Sequence, residues 1–152
     1  MASRIQPVFE KFLIPAPATR ETSPRLNINV VFTSVDATLA ALKEAGRLAD
    51  RLAACITLVV LQIVPYPLPL KTPPVLIEFN ERRFRIIASE SPVETTVHIY
   101  LCRDPLETLP GVLQPHSVVV LGGRRSWWPT AEQRLARKLR RVGHEVILTE
   151  SE

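Results

Sequence analysis

From Asn27 onward the apolar positions fall into two alternating rhythms: short runs rich in β-branched residues, and longer stretches where apolar residues recur every three or four positions. Ile28 to Thr33 (INVVFT) reads as a buried strand, followed by Cys55 to Val64 (CITLVVLQIV), Thr95 to Leu101, Ser117 to Leu121 (SVVVL) and Glu145 to Thr149 (EVILT). Cys55 to Val64 is apolar on both faces of its pleat, which predicts a central strand. Between the first two strands, Leu39, Leu42, Ala45, Ala49 and Leu52 repeat at helical spacing, and either Ser34 or Asp36 supplies an N-cap. A second helix is expected to begin near Pro73 or Pro74, with Leu76, Phe79, Ile86 and Ile87 inward. Arg82, Arg83 and Arg85 interrupt that side, and a strand over Phe84 to Ala88 is the alternative. Pro105 to Val112 reads as a short helix or turn. Pro129 to Val142 reads as a helix with a Thr130–Gln133 capping box, with Leu135, Leu139 and Val142 on one face and Gly143 as its stop.

Strands alternating with helices imply an α/β domain: an open five-stranded parallel sheet with right-handed crossovers and helices on both faces, Rossmann-like, over residues 27–152. Residues 1–26 carry Pro7, Pro15, Pro17 and Pro24 with no sustained period, which predicts a flexible tail with a short helix around Pro7 to Phe12. Five prolines between Pro65 and Pro74 make a non-helical connection that runs extended across the sheet edge or over a site.

Composition narrows the picture. A chain of 152 residues that is 46% hydrophobic is the size of one domain with a real core. Its longest apolar run, Cys55 to Val64, is too short to span a membrane, and the N-terminus lacks the basic-then-apolar layout of a secretory leader, so a cytoplasmic protein is expected. Cys55 and Cys102 lie in apolar stretches and read as buried, reduced thiols. His98, His116 and His144 are too dispersed for metal-ligand spacing. Seven of the 19 Lys and Arg residues fall between Arg124 and Arg141, a basic helix suited to an anionic partner, such as a membrane protein's cytoplasmic face or a signalling protein. The isoelectric point near 9.5 raises nucleic acid as a partner. Acidic residues dispersed throughout and too few aromatics for a stacking platform argue against it.

Ligands of open parallel sheets bind beyond the carboxyl ends of strands, where strand order reverses. That rule selects two loops. Thr33, Ser34 and Asp36 follow the first strand with hydroxyls, a carboxylate and a helix start. Gly122, Gly123, Arg124, Arg125 and Ser126 follow the fourth with permissive backbone and two guanidinium groups. Together they read as an anion cradle, with Trp127 and Trp128 packing beside it or docking a partner. No P-loop lysine, GxGxxG fingerprint or GxSxG elbow occurs, so neither a dinucleotide enzyme nor a hydrolase is indicated.

The order of these elements, with INVVFTSVDATLAALKEAGRLADRL before a strong strand and SVVVLGGRRSWW before a last helix and strand, resembles the universal stress protein domain. The GGRRSWW segment is similar to variants found beside amino-acid permeases and in potassium-sensing histidine kinases. The resemblance implies strand order 3-2-1-4-5, a homodimer through the last strand and, in some members, ATP or another adenine nucleotide at the two loops. It also implies a stress-response or signalling role without catalysis, the alternative being an interaction module that uses the basic helix with Trp127 and Trp128. Nucleotide-binding members carry an Asp after the first strand and a G-x2-G-x9-G-[ST] motif after the fourth. Here Ser34 stands at the first position, Ser126 at the second glycine, and Ala136–Arg137 at the final pair.

Overall fold

The structure is a computed structural model that describes residues 10–14, 26–66, 77–91, 93–124 and 130–151. Chain order is β1 (Glu10–Ile14), β2 (Asn27–Val31), α1 (Val35–Leu52), β3 (Cys55–Ile63), α2 (Ile77–Ser89), β4 (Thr95–Cys102), α3 (Pro105–Val112), β5 (Val118–Arg124), α4 (Ala131–Arg141) and β6 (Glu145–Ser151). The strands form one sheet in the order β1-β4-β3-β2-β5-β6. The five strands from β2 to β6 pair in parallel and, counted among themselves, run 3-2-1-4-5, the expected fold class.

The sixth strand corrects the reading of the N-terminus. Glu10–Ile14, where a short helix around Pro7 to Phe12 was expected, lies antiparallel on β4, with Phe12 opposite Ile99 and Ile14 opposite Val97. The physical reason is partner supply. A five-residue segment is too short to be stable as an isolated helix, whereas the β4 edge offers it a row of backbone donors and acceptors. Residues 7–9 lie outside the described residues.

β2 and β3 occupy the centre, and the alternation of their side chains divides the core into two layers. Ile28, Val30, Ile56, Leu58 and Val60 face Ala41, Leu42, Ala45 and Ala49 of α1 and Phe84 and Ile87 of α2. Val31, Val59, Val119 and Leu121 face Leu109 of α3 and Leu135, Ala136 and Leu139 of α4. Each large aliphatic side chain fully withdrawn from water here contributes about 1.5–3 kcal/mol before chain entropy is counted.

The ends of α1 and α4 follow local chemistry. Ser34, rather than Asp36, caps α1, its Oγ accepting from the Ala37 amide at 3.3 Å, and Asp36 sits in the first turn where the helix dipole favours an acid. In α4 the Thr130–Gln133 capping box is present in both directions. Gly143 follows at φ 98°, a left-handed conformation natural to glycine.

Several details differ from the sequence pattern. Phe84 to Ala88 belongs to helix α2, and its inward residues are Phe84, Ile87 and Ala88, while Ile86 is 66% exposed. Phe84, Ile87 and Ala88, at i, i+3 and i+4, share one face, which leaves Ile86 off it, and the edge-to-face contact of Phe84 with Phe32, centroids 4.9 Å apart, sets that phase. Leu52 and Val142, at helix ends beyond the sheet, are about half exposed. Cys55, expected to be buried, is half-buried at the start of β3, while Cys102 is buried. Leu76 and the connection through Pro67, Pro69, Pro73 and Pro74 lie outside the described residues.

Candidate functional site

Strand order reverses between β2 and β5: β2 leads to β3 on one side, and β5 leads to β6 on the other. This switch point brings the two loops selected from the sequence side by side. Thr33 Oγ1 donates to the carbonyl of Gly122 at 2.9 Å, and the Thr33 amide donates to Thr38 Oγ1 at 3.1 Å. Gly122 and Gly123 are both buried. They face opposite ways along β5. A β-carbon on Gly122 would stand 2.0 Å from the Ala37 carbonyl oxygen, whereas one on Gly123 would make ordinary contact with Glu132 at 3.5 Å. The space at Gly122 is thus filled by the first turn of α1. Arg124 ends β5, opposite Ser151 of β6. Arg125, Ser126, Trp127 and Trp128 lie outside the described residues.

Beside this junction, on the α3 and α4 side, a cleft of about 480 Å³ opens over the carboxyl ends of β2 and β3. Its apolar surface comes from Val31, Leu61, Ile63, Leu106 and Leu135, and its polar groups from Thr33, Asp104, Glu132 and Arg134. Of the sequence-selected residues, Thr33 lines it. Ser34 is spent on the α1 cap, and Asp36 is exposed in the following turn. The strand-end rule, applied to β3 and β4 as well as β2 and β5, is the signal that finds Ile63 and Asp104. Leu135 and Arg134 are reached by taking α4 as the wall after β5.

The cleft's polar groups are held by their own elements. The Asp104 carboxylate accepts from the Leu106 amide at 2.9 Å and caps α3, whose first residue, Pro105, has no amide to offer a ligand. Glu132 stands in the first turn of α4, over Gly123. Burial pushes the Cys102 thiol up from its usual range. A hydrogen bond with Thr108 opposes that shift and the charge of Asp104 adds to it, so the surroundings of Cys102 favour the thiol over the thiolate. Burial also raises the Tyr100 phenol. Among the described residues no three His, Cys, Asp or Glu side chains converge in a metal-binding group, and every buried side-chain nitrogen or oxygen has a partner.

An adenine nucleotide can be tested against these features. The volume falls in the 300–1,000 Å³ span usual for small-ligand sites, and the aliphatic floor suits a flat base. The glycine backbone at Gly122 offers no open cradle, and two carboxylates flank the space. The base and a limited negative charge fit these described residues better than a triphosphate does.

No family model matches the sequence, and no curated protein matches it. Among solved structures the chain is similar to the universal stress protein UspA from Lactobacillus plantarum, with a TM-score of 0.50 and 22% identity over 85% of this chain and 100% of that one. It is also similar to a universal stress protein solved in complex with cAMP, with a TM-score of 0.49 and 16% identity over 86% of this chain and 100% of that one. The fold of the chain is UspA-like, with β1 added on the outer edge of β4.

Proposed function

We propose that this UspA-like domain is a non-catalytic stress-response or signalling module that binds an adenine nucleotide, or another small anion with a flat apolar part. The cleft beside the strand-order reversal carries the reading: it joins an aliphatic floor to a few polar groups and, among the described residues, holds no nucleophile paired with a base. Binding, rather than turnover, is what such a surface does. The ligand's base lies over Val31, Leu61 and Leu135, and its polar edge meets Thr33 and Arg134. The ribose and phosphate extend toward the end of β5 at Gly123.

Calorimetric titration of the folded protein with ATP, ADP and AMP tests this. Saturable binding of at least one, with no nucleotide consumed, is the expected result. Heat no greater than dilution for all three, from protein with a cooperative melting transition, would overturn it.

In this reading the module works in the cytoplasm as a homodimer. The outer edge of β6, which pairs with β5 on its inner side and with no other described strand, is the natural place for a second copy. The alternative, an interaction module, draws on α4, where Arg137 and Arg141 are exposed and carry no ion pair among the described residues. A pull-down that survives charge reversal at both positions would remove that alternative.

A further inference from the structure

The first turn of α4 walls the β5 side of the cleft through Ala131 and Glu132, with Leu135 one turn further on. A helix N-terminus attracts anions through its unpaired amides and the positive end of its dipole, but here the chain's own groups take that place. The Gln133 amide donates to Thr130 Oγ1 at 3.2 Å, and the Thr130 amide donates to Gln133 Oε1 at 3.3 Å, so the capping box engages both. Glu132 then sets a carboxylate of the protein itself in the turn where the dipole favours an acid.

Gly123 locates that side chain. The Cβ and Cγ of Glu132 lie 3.5 and 3.7 Å from the point that a β-carbon on Gly123 would occupy, so Glu132 stands over the end of β5 while it lines the cleft. It is half-buried, and no lysine, arginine or histidine among the described residues lies within ion-pair distance of it. Arg134 lines the cleft too, but it is exposed, and residues two apart on a helix do not face each other. Asp104, on the α3 side, is exposed and its carboxylate accepts from the Leu106 amide.

We propose that Glu132 is the residue that sets the charge class of the cleft's ligand, ranking a nucleoside monophosphate above a diphosphate and a diphosphate above a triphosphate. The inference rests on the reading of the cleft as a nucleotide site whose phosphate points to the end of β5, and it adds the residue that ranks the nucleotides and the order in which they fall. A second and a third phosphate each bring negative charge to the end where Glu132 stands, and half-burial lets solvent screen that repulsion only in part. Each added phosphate therefore lowers affinity about two- to fivefold. The α4 amides do not offset this, because the capping box already engages part of them.

The test is titration of wild-type, Glu132→Gln and Asp104→Asn proteins with AMP, ADP and ATP in metal-free, low-salt buffer, each variant checked by circular dichroism and melting. Wild type is expected to bind AMP about 4- to 25-fold more tightly than ATP, with ADP between them. Glu132→Gln is expected to raise ATP affinity more than AMP affinity and bring the two within about twofold. Asp104→Asn keeps an N-cap for α3 and is expected to leave the wild-type ratio within about twofold. Added salt is expected to narrow the ratio in wild type and not in Glu132→Gln, a dependence that a merely structural role would not produce. Tighter binding of ATP than AMP by wild type, an unchanged ratio in Glu132→Gln, or an equal loss of preference in Asp104→Asn would overturn the inference and leave the cleft reading standing. Binding of none of the three nucleotides would overturn the cleft reading itself and this inference with it. If Glu132→Gln fails to fold, the wild-type salt series decides: a ratio that salt does not move overturns the inference.

Discussion

Gly122 lies directly under the first turn of α1: a β-carbon there would stand 2.0 Å from the Ala37 carbonyl oxygen and 2.5 Å from its carbonyl carbon. The adjacent Gly123 faces the other side of the sheet, where a β-carbon would meet only the Glu132 side chain at ordinary distance. Two consecutive glycines therefore have different reasons to be glycine. Gly122→Ala is expected to displace α1 and cost about 1–3 kcal/mol or more, lowering Tm by roughly 5–10 °C. Gly123→Ala is expected to stay within about 0.5 kcal/mol. Parallel thermal melts of the two variants check the contrast, and equal losses would show that β5 and α1 are not packed this way.

The Gly-Gly pair also marks how far the sequence was legible. Its position at the end of a buried strand could be read, because SVVVL carries its own period and glycine ends it. Which glycine touches α1 could not, since that depends on helix placement 85 residues earlier in the chain. The Thr130–Gln133 capping box and the Gly143 stop were legible because they are local chemistry, satisfied within one helical turn. β1 was not, because its partner β4 lies more than 80 residues away and nothing within Glu10–Ile14 records that pairing. The site divided the same way. Thr33 followed from the strand-end rule, while Ile63, Asp104 and Glu132 meet at the cleft although no motif links them.

Ala53 ends α1 in the left-handed region, at φ 51°, and the Ala54 amide closes back onto the Ala49 carbonyl at 2.9 Å. The geometry is a helix stop that glycine adopts without the clash between β-carbon and carbonyl. Ala53→Gly removes that clash, worth about 1–2 kcal/mol, against about 0.5–1 kcal/mol of extra freedom in the unfolded chain. A net gain of about 0.5–1 kcal/mol is expected in urea unfolding, with an unchanged m-value. A loss of stability would mean that the alanine methyl makes a contact worth more than the strain.

His144 reports on pH. It is buried before β6, and its Nδ1 accepts the Ser117 amide at 3.1 Å, an arrangement available only while that nitrogen carries no proton. Burial lowers its pKa from the usual 6.5, and the nearby His116 lowers it further. Above about pH 6.5 the ring is neutral in both folded and unfolded chains, and stability is at its full value. As pH falls below 6.5 the unfolded chain takes up the proton first, so stability declines until the folded pKa is passed. Urea midpoints between pH 8 and pH 5 are expected to fall on the acid side, and His144→Asn is expected to flatten that slope. The same slope in the variant would assign the dependence to other groups.

Ile63 offers a way to close the cleft without disturbing the core. It is the last residue of β3, lines the cleft, and is 51% exposed, so enlarging it places new atoms in open space rather than among packed side chains. An indole here covers the floor beside Leu61 that the ligand's flat part is proposed to use. Ile63→Trp is expected to weaken nucleotide binding at least about tenfold, the loss of one good apolar contact, while Tm changes by no more than a few degrees. The pairing of those two readouts carries the weight. A variant that melts normally and binds as wild type would place the ligand outside this cleft, whereas one that loses both would show that Ile63 supports the fold from a position that looks free.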